Sequence, residues 1–195
     1  MQMQNSLIKI AVFASGKGSN AEKLIDYFNN HSIIRVSLVI SNKADSPVLK
    51  MAKLKGVTGL YFNKQELENG TVENYLISQK IDYIVLAGFL LKIPEKLIHR
   101  YPNKIINIHP SLLPKYGGKG MYGIHVHRAV IQNHEKESGI SIHLVNEEYD
   151  KGKILFQAKC KIEMDDTPET LANKIQALEH RFFAPCVEKY ILNNG

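Results

Sequence analysis

Apolar residues in this chain fall into short continuous runs separated by stretches of helical spacing. Residues 7–14 are an almost unbroken apolar run of strand length, leading into Ser15-Gly16-Lys17-Gly18-Ser19-Asn20, after which Ala21, Leu24, Ile25 and Phe28 recur on one helix face. Residues 33–40 predict a second strand, Ser46-Pro47 opens a short helix with a cap and an N1 proline, and residues 58–62 predict a third strand. Residues 64–80 read as helical at least in the half after Asn69-Gly70. Residues 81–87 are nearly continuous in apolar side chains, as expected of a central strand covered on both faces. Lys104-Ile105-Ile106 is a further short strand, and a helix is expected from about His127. Residues 139–145 alternate, and residues 154–162 return after a turn to make an antiparallel edge pair. Residues 168–192 predict a closing helix with Thr167 as cap and Leu171, Ile175, Leu178 and Phe182 as its apolar stripe.

Alternating β and α elements up to Asn107 predict an α/β, Rossmann-like fold: a mostly parallel sheet with helices on both faces, right-handed crossovers and the antiparallel C-terminal edge pair. The 195 residues fit a single domain, 1–195, with enough length for a substantial core. In such sheets ligands bind beyond the carboxyl ends of strands where the winding reverses. The expected strand ends Ala14-Ser15-Gly16, Ala87-Gly88-Phe89 and Asn107-Ile108-His109 would then converge on one edge.

All three strand ends carry candidate chemistry: after Gly88-Phe89, residues 90–93 offer backbone groups and apolar surface suited to a flat heteroaromatic ring, with a plain β-to-α connection as the alternative. Strand, glycine loop and helix open a nucleotide-binding unit, and exposed amides at a helix N-terminus favour an anion, so Gly18, Ser19 and Asn20 are expected to hold a phosphate. The loop is neither GxGxxG nor GxxxxGK[ST], which argues against a dinucleotide fingerprint or a P-loop, and Ser19 merely capping the helix is the plainer alternative. Asn107 and His109 precede Pro110 and Pro114, which stop a strand or helix, so both are expected in a rigid loop at a strand end. At alternate positions of extended chain they point the same way, one offering an amide and the other a group that exchanges a proton near neutral pH. That pair suits an oxyanion and a proton transfer; a core histidine beside a capping asparagine is the alternative. Asp150, before a glycine-bearing turn, reads first as turn chemistry.

Composition is that of an ordinary soluble globular protein, 44% hydrophobic and 23% charged. The net charge of +6 comes from scattered lysines without a basic run or interleaved aromatics, so no nucleic-acid partner is expected. The first residues lack the basic and long apolar regions of a signal peptide, and the longest apolar run, around 84–91, is far short of a membrane span, so a cytoplasmic protein without a membrane partner is expected. Cys160 and Cys186 lack CxxC spacing and read as buried or half-buried free thiols.

The string Asn107-Ile-His-Pro-Ser-Leu-Leu-Pro114, with Ala14-Ser-Gly-Lys-Gly-Ser-Asn20 before it and Leu86-Ala-Gly-Phe89 between, resembles the signature of the folate-dependent formyltransferases from about Lys9 to Tyr190. The resemblance implies the formyltransferase fold and transfer of the formyl group of 10-formyltetrahydrofolate, as co-substrate and without a metal, to the amine of glycinamide ribonucleotide in purine biosynthesis. It implies that Asn107, His109 and Asp150 are catalytic and that Gly18, Ser19 and Asn20 hold the substrate phosphate. It further implies that Glu179, in a Glu179-His180 pair, binds the ribose, and that Leu90, Leu91, Lys92, Ile93 and Asn107 bind the folate. Leu90-Leu91 stands where the family pattern has Met-Arg, which keeps the ring-binding backbone and removes an arginine. An ionised Asp150 near His109 is expected to raise that imidazole above its ordinary pKa of about 6.5. A monomer or a homodimer fits.

Residues 115–127 are about five longer than the family's typical loop and contain four glycines, which reads equally as a mobile lid or as a tolerated insertion. Other readings stay in view. His109, His125, His127 and Asp150 are metal-competent types, with a His-x-His spacing, as in a metal hydrolase. A methionyl-tRNA formyltransferase or a formyl-tetrahydrofolate hydrolase shares the core motif and usually carries an additional domain.

Overall fold

The structure is a computed structural model and describes residues 7–194, which divide into two compact units, one ending at Ile105 and the other beginning at Ile106. In the first unit β1 (Ile8–Phe13), β2 (Ile34–Ser41), β3 (Thr58–Tyr61) and β4 (Tyr83–Leu86) form a parallel array in the order β3-β2-β1-β4. The chain winds outward from β1 through β2 to β3 and then returns to the other side of β1, so the winding reverses between β1 and β4. Every residue of β4 is buried, as its continuous apolar run requires.

Helices α1 (Ser19–Phe28) and α2 (Pro47–Leu54) form where the spacing predicts them, with Ala21, Leu24, Ile25 and Phe28 buried on α1. Ser46 stands at the N-cap of α2 but does not cap it; its hydroxyl donates to the Gly16 carbonyl at 2.9 Å and ties the glycine loop to that helix. Residues 64–80 make two helices, α3 (Lys64–Glu68) and α4 (Thr71–Ser78), separated at Gly70 with φ +90°. Helix α3 lies in the half that the spacing leaves open; a capping box starts it, Asn63 Oδ1 accepting from Glu66 N at 3.0 Å and Glu66 Oε2 from Asn63 N at 2.8 Å. Helix α5 (Glu95–Arg100) has no counterpart in the sequence reading; Pro94 at its N-cap and the apolar pair Leu97 and Ile98, both buried, are its signal.

In the second unit β5 (Ile105–His109, its first residue the last of the first unit), β6 (Glu137–Leu144) and β7 (Ile154–Lys161) are antiparallel neighbours, with α6 (Ile124–Gln132) between β5 and β6 and α7 (Pro168–Asn194) after β7. Strand β5 does not stop before Asn107, as expected from the prolines, but continues to His109, because β6 supplies ladder partners: Asn107 lies opposite His143 and His109 opposite Ser141. Pro110, which has no N–H, is where the strand ends. On α7 the stripe of Leu171 and Ile175 continues through Phe183, Ala184, Val187 and Ile191; Leu178 and Phe182 are half-buried, with the Phe182 ring 5.1 Å from that of Phe156 on β7. Cys160 and Cys186 are half-buried free thiols. Among the described residues no helix is long and apolar enough to cross a membrane. The parallel pairings of the first unit and the antiparallel ones of the second are the α/β arrangement that the hydrophobic pattern predicts.

Gly139 on β6 is a place where backbone leaves no room for a side chain. A Cβ there would lie 2.0 Å from the Ala158 carbonyl oxygen and 2.7 Å from Leu112 Cδ2. Gly139→Ala is expected to lower unfolding stability by about 2–3 kcal/mol, measured by urea denaturation. A loss below about 1 kcal/mol would mean that β7 moves aside at little cost.

Candidate functional site

The segment after β5 is fixed by buried hydrogen bonds that centre on Ser141 of β6. Its hydroxyl donates to the Ser111 carbonyl at 2.7 Å and accepts from Leu113 N at 2.9 Å and from Gln157 Nε2 at 2.7 Å. Ser111 Oγ donates to the Lys115 carbonyl at 2.7 Å, and Ser111 and Ser141 are both fully buried. Burying these groups is favourable only because each has a partner, and the loop 110–115 is rigid as a result.

Asn107 and His109 project from the same face of β5, as their i, i+2 spacing requires. His109 Nε2 lies 2.7 Å from the Tyr116 carbonyl oxygen. A carbonyl only accepts, so this nitrogen carries the proton of the neutral ring and Nδ1 presents a lone pair. That Nδ1 lies 3.6 Å from Asp150 Oδ2, too far for a hydrogen bond. His143 is arranged the other way: Nδ1 donates to the Leu144 carbonyl at 2.8 Å, and Nε2 accepts from Asn107 Nδ2 at 3.0 Å. The second carboxylate oxygen, Asp150 Oδ1, stands 3.5 Å from His143 Nε2. Asp150 therefore sits between two imidazoles, held at φ +55° and by the Gly118 N–H, which donates to Oδ2 at 2.8 Å. Gly117 makes that approach possible, since a Cβ there would lie 2.6 Å from Leu113 Cδ2 and 3.2 Å from Asp150 Cβ.

Charge in this cluster is governed by burial. Burial pushes the His109 imidazole below its ordinary pKa and outweighs the raising effects of Asp150 and of the Tyr116 carbonyl. The expectation that Asp150 would lift His109 above its ordinary value is thus corrected: with only 4% of its surface exposed, the ring loses more by desolvation than one carboxylate returns. For Asp150, burial is also the largest influence and pushes upward, but interaction with His143, the charge available on His109 and the Gly118 N–H together leave the carboxyl below its usual range. The cluster at neutral pH is an ionised aspartate beside a neutral imidazole.

The other singled-out residues lie at the start of α1, in the loop after β4, on α6 and on α7. In the first unit Gly18 is the N-cap of α1 at φ +81°, with Ser19 and Asn20 in the first turn, and a Cβ on Gly18 would lie 2.2 Å from Val48 Cγ2. Capping by Ser19 is thereby set aside, because the cap position belongs to the glycine. Leu90 and Lys92 are exposed, Leu91 half-buried and Ile93 buried, in the loop after β4. Ser15 joins this loop to the glycine loop: its N–H donates to the Gly88 carbonyl at 3.0 Å, and its hydroxyl donates to Asn42 Oδ1 at 2.7 Å and accepts from Leu90 N at 3.1 Å. Glu179 is half-buried on α7 in the second unit. His125 is exposed on α6 beside the Tyr122 ring at 5.3 Å, whereas His127 is buried, with no hydrogen-bond partner for Nδ1 among the described residues. Among the described residues no three His, Cys, Asp or Glu side chains are grouped to hold a metal ion. The glycine-rich stretch 117–123 is anchored at its start, by Gly118 on Asp150.

His143, Tyr116, Ser141 and the two glycines Gly117 and Gly118 were missed by the sequence reading. The signal for the first was present: Ser141 and His143 are polar at alternate positions of a strand whose other residues from 138 to 144 are buried throughout.

The formyl transferase family model matches residues 8–187. The chloroplastic phosphoribosylglycinamide formyltransferase of Arabidopsis thaliana is 40% identical over 92% of this chain, which spans 64% of that protein's length. The phosphoribosylglycinamide formyltransferase of Bacillus subtilis is 34% identical over 95% of this chain and 96% of its own. The crystal structure of phosphoribosylglycinamide formyltransferase from Anaplasma phagocytophilum superposes with a TM-score of 0.85 at 34% identity, covering 93% of this chain and 86% of that one.

Burial lowers the pKa of His127 as well as that of His109, the proximity of His109 adding to the effect at His127. Each ring takes its proton more readily in the unfolded chain than in the folded one. Their contribution to stability is therefore complete above the ordinary histidine value of 6.5 and is lost as the pH falls below it. Asp150, depressed from 3.8, loses its contribution only at lower pH. Urea unfolding at pH 7.5, 6.0 and 5.0 should show stability falling below about pH 6.5, by up to about 1.4 kcal/mol per pH unit for each histidine, with a shallower fall in His127→Gln. Parallel curves for the two proteins would remove His127 from this account.

Proposed function

Since the chain belongs to the formyl transferase family, we propose that it transfers the formyl group of 10-formyltetrahydrofolate to the amine of glycinamide ribonucleotide. The observation that carries the reading is the placement of Asn107, His109 and Asp150 in one cluster, with His109 Nδ1 3.6 Å from the carboxylate. The relatives named phosphoribosylglycinamide formyltransferase support the choice of substrates, above all the Bacillus subtilis protein, which the chain covers almost end to end.

Formyl transfer begins when the amine nitrogen attacks the formyl carbon, breaking the C=O π bond and placing negative charge on oxygen and positive charge on nitrogen. Asn107 Nδ2 has two hydrogens and commits one to His143, so the other is available to the oxyanion. Neutral His109 accepts the ammonium proton on Nδ1, and the imidazolium so formed is favoured by ionised Asp150. The bond from the tetrahedral carbon to the folate nitrogen then breaks, that nitrogen takes the proton from His109, and the products are the formamide and tetrahydrofolate. His109 thus enters the cycle as a base and leaves it as an acid, which its depressed pKa favours at neutral pH.

In the same reading the phosphate of the ribonucleotide rests on the first-turn amides of α1 at Gly18, Ser19 and Asn20, and Glu179 takes the ribose hydroxyls. Backbone groups of Leu90 to Ile93 bind the folate ring, Leu91 offering apolar surface in place of an arginine. Positioning by groups remote from the reacting carbon accounts for much of the rate.

The test is a spectrophotometric assay of tetrahydrofolate formation with glycinamide ribonucleotide as acceptor. His109→Ala and Asp150→Asn should each lose about 10²- to 10⁴-fold in kcat while both substrates bind about as before. Turnover close to the parent in either variant would take that residue out of the reaction. Asn20→Ala should weaken the ribonucleotide by about tenfold and spare the folate; unchanged ribonucleotide affinity would take the phosphate away from this loop.

A further inference from the structure

The phenol of Tyr116 has no part in the chemistry above, yet it is held firmly. Its hydroxyl donates to Glu135 Oε1 at 2.9 Å and accepts from Asn133 Nδ2 at 2.9 Å, and the same Glu135 oxygen accepts from Lys115 Nζ at 2.9 Å. Asn133 is the C-cap of α6, so the ring is tied to the end of a helix. The backbone of Tyr116 stands at φ +57°, a left-handed conformation that costs a residue other than glycine about 1–3 kcal/mol. Such a conformation persists only where the surroundings hold it, and here the hydroxyl supplies two of the bonds that do so. The result is a carbonyl oxygen aimed at His109 Nε2, 2.7 Å away.

We propose that Tyr116 is a positioning residue: its hydroxyl, through Asn133 and Glu135, holds the strained backbone so that the Tyr116 carbonyl keeps the His109 proton on Nε2 and leaves the Nδ1 lone pair facing Asp150. The role in catalysis rests on the reading of His109 as the proton carrier; the control of the tautomer does not. If Tyr116 relaxes to negative φ, its carbonyl turns away and either nitrogen can carry the proton. With the proton on Nδ1 the ring satisfies Asp150, and its basic nitrogen no longer lies beside the carboxylate that would stabilise the imidazolium. Lys115 is held separately, by Ser111 Oγ on its carbonyl, and Gly118 by its own bond to Asp150, so loss of the hydroxyl frees one peptide and not the whole loop.

Histidine tautomers are read by long-range nitrogen–proton NMR on protein labelled at histidine, beside kcat and KM for the parent, Tyr116→Phe, Asn133→Ala and Glu135→Gln. In the parent His109 should carry its proton on Nε2 alone. Tyr116→Phe should show both tautomers and a kcat lower by about three- to tenfold with KM within about twofold. Asn133→Ala, on the exposed helix end, should move both readouts the same way to a smaller extent, and it carries the test if Tyr116→Phe is poorly folded. Glu135→Gln keeps an acceptor for the hydroxyl and should resemble the parent in both. A Tyr116→Phe protein whose His109 stays on Nε2 overturns the proposal, whether or not kcat falls, and so does a mixed tautomer with unchanged kcat in an active enzyme. A parent without turnover on glycinamide ribonucleotide, in which Tyr116→Phe still mixes the tautomers, sinks the proposed reaction and upholds the control of the tautomer by Tyr116.

Discussion

The register of β5 on β6 is the constraint from which the candidate site follows. It sets Asn107 opposite His143 and His109 opposite Ser141, so one face of a two-stranded ladder carries all four side chains. Side chains alternate between faces with period two, and a slip of one residue would turn Asn107 and His109 to the other face together. The same ladder holds the loop that follows, because the Ser141 hydroxyl reaches the Ser111 carbonyl and the Leu113 N–H. Pairing, loop and site are thus one structure, and Gly139, which admits the Ala158 carbonyl where a side chain would stand, belongs to it.

Burial then decides the electrostatics. His109, His143 and Asp150 have side chains only 5%, 2% and 12% exposed, so an unbalanced charge among them would be costly. The arrangement limits that cost by tautomer: the Tyr116 carbonyl takes one N–H, the Leu144 carbonyl another, and the Gly118 N–H serves the carboxylate. A neutral imidazole beside a carboxylate is a base whose protonation is favoured only once a proton becomes available, which suits a reaction in which an amine becomes cationic and then must lose its proton.

The first unit uses a hydroxyl in a comparable way. Ser15 stands just past the end of β1, next to the point where the winding reverses, and its side chain bridges Asn42 and the Leu90 N–H. The glycine loop is fixed on its other side by Ser46 on the Gly16 carbonyl and by Val48, which occupies the space where a Cβ of Gly18 would project. Loops at the carboxyl ends of these strands are therefore set by side-chain bonds to neighbouring loops, a rigidity suited to holding a ligand against backbone amides.

The chain by itself determined most of the elements and the residue types that the candidate site would use. Nearly continuous apolar runs marked β1 and β4 because a strand buried on both faces must be apolar throughout, and helical spacing marked α1 and the start of α7 because one face of each is buried. Asn107 and His109 were legible because alternate residues of extended chain share a face. Only the tertiary structure decided the rest. Helix α5 is too short for periodicity to reveal it, and the extension of β5 past Asn107 depends on a partner strand some thirty residues later in the chain, whose hydrogen bonds no local pattern records. The pairing of Asp150 with His143 as well as His109, the Tyr116 carbonyl on Nε2 and the sign of the His109 shift likewise arise from distance and burial. Those are properties of groups remote in sequence and close in space, and local residue order carries no measure of them.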